Sequence, residues 1–207
     1  MSDINTDINK VFDNAVSSRS FFNPSSKDST TKKNVANVTG EFYGHMIEAE
    51  QREVEFTRDG DKFKAIVFNY KFVVHKSNAK QTYDSGATGK DYVGRKYNAN
   101  GIFRFIEPNE GDDFKSNQGG NKSYFRFCET LKIDCPTKKV EIDGEEVEVK
   151  ELPHLSVDEI NNKAVIAFID KGKQYKDRKT GETRTPHVVK FVKEWEGGAD
   201  LDEEIPF

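Results

Sequence analysis

The alternation of apolar and polar positions is β-like over most of the chain. Between Lys62 and His75, the residues Ile66, Phe68, Tyr70, Phe72 and Val74 fall on every second position, the period at which a strand presents one face. Lys62, Lys64, Lys71 and Lys76 take its exposed positions or its ends. Glu41–Ala49 and Glu53–Thr57 have the same character. Asp59-Gly60 reads as a hairpin turn into the Lys62 strand, because both residue types tolerate positive φ. Ile102–Ile106, Ala164–Asp170 and His187–Trp195 are further strands, and Val140–Val149 is a second hairpin turning at Asp143-Gly144. Helical spacing occurs at Ile4, Ile8, Val11, Phe12 and Val16, which predicts a short helix over Asp3 to Ser17, broken at Phe21-Phe22-Asn23-Pro24. Ser156 and Glu159 have capping-box spacing and predict one helical turn. Ser123–Ile133 fits a helix or a strand, since the Tyr124, Phe125 and Phe127 cluster does not decide.

This pattern divides the chain in three. Residues 1–36 form an N-terminal arm, partly flexible, that packs on the body or on a neighbouring subunit. Residues 37–196 form a mainly β body, with 76–101 and 108–121 as long polar connections. Residues 197–207 form a flexible acidic tail behind Gly197-Gly198. About seven to nine strands with one or two short helices fit a five-stranded barrel with extra hairpins and long loops.

Charge changes this picture only when it is divided. The net charge is -4, but residues 197–207 hold four acids and no base, which leaves a neutral body of 32 basic and 32 acidic residues. A neutral body can still segregate a basic groove. No apolar run approaches a membrane span, and Met-Ser-Asp-Ile-Asn is not a secretion signal. Cys128 and Cys135 are expected as reduced thiols of a cytoplasmic protein. His45, His75, His154 and His187 are too scattered for zinc, so neither metal nor cofactor is expected. Gly86-Ala87-Thr88-Gly89-Lys90 is followed by Asp91, where a phosphate loop needs Ser or Thr, and no Gly-x-Ser-x-Gly elbow exists. Asp112-Asp113 and the acidic 141–151 hairpin read as solvated charge, so the expectation is not an enzyme.

Two stretches carry cations among aromatic rings. Lys71 to Arg104 holds seven basic residues against two acids, interleaved with Tyr83, Tyr92, Tyr97 and Phe103. Lys171 to Arg184 is a basic finger between two strands, with Tyr175 as its aromatic. Cations follow a phosphate backbone, while ring faces stack bases regardless of their identity. The candidate DNA-binding residues are therefore Lys71, Tyr92, Arg95, Lys96, Tyr97 and Arg104, with Tyr175 and Arg178 from the finger. Trp195, alternating with Phe191, is read as core.

The last eight residues run Asp-Leu-Asp-Glu-Glu-Ile-Pro-Phe. This segment resembles the C-terminal tip of single-stranded DNA-binding proteins of phage and bacterial type, in which acids precede Ile-Pro-Phe. The likeness implies an oligonucleotide-binding (OB) fold, sequence-tolerant binding and protection of single-stranded DNA, and recruitment of a replication or recombination polymerase, helicase or nuclease. Asp202, Glu203 and Glu204 match the acidic element, and Ile205, Pro206 and Phe207 match the docking element. The body lacks the Gly-rich sequence familiar in the bacterial proteins, and its likeness is one of pattern. The alternative is a β-rich protein-interaction or virion-associated module that binds no nucleic acid.

Overall fold

The computed structural model describes residues 37–142 and 144–198, which form a mainly β body of antiparallel sheets. The helix expected over Asp3 to Ser17 and the tip residues Asp202 to Phe207 lie outside the described residues.

The main sheet has six strands. β1 (Gly40–Arg58), β2 (Asp61–Val74), β3 (Lys96–Asn98), β7 (Ala164–Lys171) and β10 (His187–Glu194) run in the order β10-β7-β1-β2-β3, and β4 (Ile102–Phe105) also pairs with β2. The segments Glu41–Ala49 and Glu53–Thr57 are one strand, not two. The end of the first segment forms a β-bulge, with a register shift between Ile47 and Glu50 and φ of 51° at Glu48, and pairing resumes from Glu50. Such a bulge bends a strand and raises its twist without ending its pairing. β1 thereby serves two neighbours, pairing with β7 from Gly40 to His45 and with β2 from Gly44 to Arg58. The turn to β2 is Asp59-Gly60, with φ of 55° and 90°, as a two-residue hairpin of matching twist requires.

The ends of this order approach one another. Ala99, just after β3, makes a parallel bridge with Val189 of β10, and the Asn100 amide donates to the Val189 carbonyl at 3.2 Å. Among the described residues that is a single bridge rather than a closed ladder.

Ser123–Ile133 belongs to a helix, α1 (Gln118–Thr130). Its start, Gln-Gly-Gly, has poor helix propensity, but the Asn117 side chain caps it by accepting from the Gly120 amide at 2.9 Å. Tyr124 and Phe127 lie on β2, with ring centroids 5.6 Å from Phe68 and 6.1 Å from Tyr70. With Phe42, Met46, Phe72, Val165, Ala167, Ile169 and Val189 they make the buried core. Cys128 and Cys135 are free and buried, and burial pushes the Cys128 thiol up to about 12. The capping box at Ser156 forms as expected and starts α2 (Val157–Ile160).

Two small hairpins stand apart from the main sheet. β5 (Thr137–Ile142) pairs with β6 (Glu145–Lys150), and β8 (Tyr175–Lys176) with β9 (Thr183–Arg184). Among the described residues no helix is long and apolar enough to cross a membrane.

Candidate nucleic-acid interface

Beyond its bulge β1 reads Arg52-Glu53-Val54-Glu55-Phe56-Thr57-Arg58. The two-residue period sends Arg52, Val54, Phe56 and Arg58 to one face and Glu53, Glu55 and Thr57 to the other. Register carries the first face across the sheet. Arg52 lies opposite Val67, Val54 opposite Ala65, and Phe56 opposite Phe63. Val67 in turn lies opposite Phe103, and Ala65 opposite Phe105. Three strands thus bring two arginines and four phenylalanines to one surface.

The surface is concave because its middle is short. Ala65 and Val67 are buried, while Phe56, Phe103 and Phe105 stand around them. Phe103 stacks on Phe105 with centroids 6.0 Å apart, and Phe56 meets both edge-on at 6.3 and 6.1 Å. Interlocked rings of this kind hold their geometry. Phe103 remains 37% exposed. The Arg58 guanidinium sits 5.1 Å from the Phe63 centroid, a cation–π contact that leaves its outer face to solvent.

A groove of about 820 Å³ runs over this face. Asn100 and Gly101, the start of α1 at Asn117, Gly120 and Ser123, and Lys190 of β10 form its walls. Helix α1 reaches the groove through Gly120, where an added Cβ would sit 2.5 Å from the Phe105 ring. The next residue, Asn121, is fastened to the β4 backbone, accepting from the Phe105 amide at 2.8 Å and donating to its carbonyl at 3.1 Å. Among the described residues Arg52, Arg58 and Lys190 have no ion pair, so their charge faces the groove without a fixed carboxylate. The reverse face of the same hairpin is self-neutralised, with Lys64 3.8 Å from Glu53 and Lys62 paired with Asp113.

The residues singled out by composition lie elsewhere. Tyr92 and Tyr97 are buried, at 0% and 6% exposure, so neither ring offers a face to a base. Tyr92 meets Phe42 edge-on at 5.4 Å, and Tyr83 stacks on Phe42 at 4.7 Å. Burial raises the Tyr92 and Tyr97 phenols above their ordinary range, while nearby Arg95 opposes the shift. The Arg95 guanidinium packs 4.9 Å from the Tyr92 centroid. The long connection 76–101 is therefore an ordered plug. Asn78 anchors it, accepting from the Tyr43 amide at 2.9 Å and donating to the Tyr43 and His75 carbonyls at 2.7 and 2.6 Å. Lys71 and Lys96 are outward but share Glu48, which Lys96 reaches at 2.8 Å. Hydrogen bonds from these two lysines lower the Glu48 carboxyl to about 2. Arg104 points away from the groove and donates to the Leu152 carbonyl at 3.1 and 3.3 Å, which ties β4 to the segment between Lys150 and Ser156.

Tyr175 and Arg178 are exposed on the β8–β9 finger, and Tyr175 retains 50% of its surface. Trp195 is half-buried against Tyr43, His45 and His75, with centroids 5.1 to 5.9 Å away. The groove residues Arg52, Phe56, Arg58, Phe105 and Lys190 were not among the sequence candidates, and Phe103 was noted only as an interleaved ring. Their signal was strict alternation, Arg-x-Val-x-Phe-x-Arg against Phe-x-Phe, rather than local density of charge.

Among the described residues no three His, Cys, Asp or Glu side chains gather to hold a metal ion. The chain matches no family model, no curated protein and no solved structure.

Proposed function

We propose that this protein binds single-stranded DNA without sequence preference, and that the β1–β2–β4 groove is its binding site. One observation carries the reading. Arg52, Arg58 and Lys190 surround partly open Phe rings on a concave, rigid surface, with no carboxylate paired to any of them among the described residues. Phosphates need mobile or open cations, and unpaired bases need an apolar ring face. Duplex DNA offers the phosphates but keeps its bases stacked inside, so it gains nothing from Phe103 or Phe56.

The barrel reading belongs to the same proposal. An OB-type arrangement is supported by the bent β1 shared between two neighbours, by α1 placed between β4 and β7, and by the parallel bridge between Ala99 and Val189. In this reading the protein protects exposed strands during replication, recombination or repair. Its Asp202–Phe207 tip docks to a polymerase, helicase or nuclease, with Phe207 as the apolar anchor.

Fluorescence anisotropy with a labelled oligo(dT) of about 30 nucleotides and a matched duplex tests the groove, since one OB fold covers roughly 4–16 nucleotides. The expected result is tight single-strand binding, weak duplex binding and a log-log salt slope of about -0.7 per phosphate neutralised. Absence of single-strand binding at low salt overturns the reading and leaves the β-rich interaction module. Phe207→Ala is expected to leave oligonucleotide binding intact and to abolish capture of the partner enzyme.

A further inference from the structure

A second aromatic platform lies outside the groove, on the β7–β10 half of the sheet. β7 sends Val165, Ala167 and Ile169 into the core, so Ile166 and Phe168 turn to its other face. Phe168 is opposite Phe191 of β10, and the two rings stack with centroids 5.1 Å apart and planes 13° apart. Phe191 stays 50% exposed. A flat ring held parallel on a second ring, with half its surface in water, is a rigid apolar face of the size of a base.

The path between the two platforms is set by a bulge. The β7–β10 register shifts between Val189 and Phe191, leaving Lys190 without a partner position. Val189 is buried at 1%, and Lys190 and Phe191 are both exposed. Regular alternation would have turned one of these two inward. Lys190 already forms part of the groove wall, and Phe191 is the next residue.

We propose that a single strand lying in the groove crosses β10 at Lys190 and stacks a further base on Phe191, backed by Phe168. The inference rests on the groove reading above and extends it to a second site on a different face of the sheet. Continuity with the groove favours nucleic acid over a protein partner here. Lys190 is exposed beside Phe191, Glu41 is engaged with Lys193, and the charge of Asp170, which accepts from the Thr39 hydroxyl at 2.8 Å, is partly offset by Lys190.

The test compares oligo(dT) of about 4 nucleotides, the low end of what one such fold covers, with one of about 30. Phe191→Ala is expected to weaken the longer strand by about five- to a hundredfold and to leave the shorter within about twofold, because one stacked base is lost. Phe191→Trp is expected to restore binding, and its added indole emission to be quenched by the longer strand. If wild-type protein binds neither length, the groove reading fails and this one with it. If wild-type protein binds both, Phe191→Ala changes neither affinity and the Trp variant is unquenched, the second platform is overturned while the groove stands. If Phe191→Ala instead changes the sedimentation of DNA-free protein and leaves both affinities intact, the pair is a contact between copies of the chain, which also overturns the proposal.

Discussion

Two regions of this molecule combine cations with aromatic rings, and they use them in opposite senses. In the 92–97 segment the rings turn inward, where Tyr92 and Tyr97 close one end of the core. Its cations are fastened, Arg95 over Tyr92 and Lys96 on Glu48. In the groove the rings of Phe56, Phe103 and Phe105 stand around a short floor, and the cations have no carboxylate among the described residues. The lesson concerns what a ring faces. A tyrosine whose desolvation has already been used in folding has no apolar face left to cover a base. A phenylalanine left partly wet still gains from being covered.

The comparison is broken most readily at the plug. Tyr92→Ala is expected to lower folding stability by about 3–5 kcal/mol, the range for removing a fully buried aromatic side chain. Thermal or urea unfolding measures it, and oligonucleotide affinity of the remaining folded protein should hold. A Tyr92→Ala protein that melts normally but no longer binds DNA would return the binding role to the segment.

In the groove the same type of change should act on binding instead. Phe103→Ala is expected to cost about 1–3 kcal/mol of oligo(dT) affinity and to lower the melting temperature less than Tyr92→Ala does, because the Phe103 ring is 37% exposed and Tyr92 is fully buried. Arg52→Ala and Arg58→Ala should each reduce the log-log salt slope by about 0.7, one phosphate contact apiece, which titrations across a salt series resolve. An Arg52→Ala slope equal to wild type would remove that side chain from the interface.

Much of the architecture was legible in the sequence for reasons of period and turn chemistry. Alternation over Lys62–His75, the Asp59-Gly60 turn and the Ser156 capping box are local signals, and each formed as read. The α1 helix was not, because its start is Gln-Gly-Gly and its stability comes from the Asn117 cap and from packing on β2. The bulge at Glu48 hid the continuity of β1 in the same way. The candidate site was less legible still. Local density drew attention to Tyr92–Tyr97, whereas the groove depends on register between residues far apart in the chain, Arg52 with Val67 and Val67 with Phe103. Alternation shows which residues share a face of one strand, but pairing alone shows which faces join.

The smallest expected effect tests whether the fastened lysines are held back from the strand or are irrelevant to it. Glu48 sits in the left-handed region at the bulge, with φ of 51°, and binds both Lys71 and Lys96. It lies with Glu50, Asn69 and Asn98 in a hollow over β1, β2 and the end of β3, two of which also form the groove. Its carboxyl is depressed from 4.5 to about 2 by hydrogen bonds from the two lysines. A depressed carboxylate contributes above its ordinary value and loses that contribution as pH falls through its lowered one. The clamp is therefore complete at neutral pH and stays so down to the ordinary glutamate value, opening only as pH approaches about 2. Glu48→Gln opens it at neutral pH. The expected result is a modest rise in oligo(dT) affinity at low salt, with a steeper salt slope by about 0.7 for each lysine that reaches a phosphate. An unchanged slope would mean that Lys71 and Lys96 lie off the path of the strand and that the bulge serves the bend of β1 alone. A weaker affinity would mean that Glu48 orders the end of the groove, which places the carboxylate on the side of binding rather than against it.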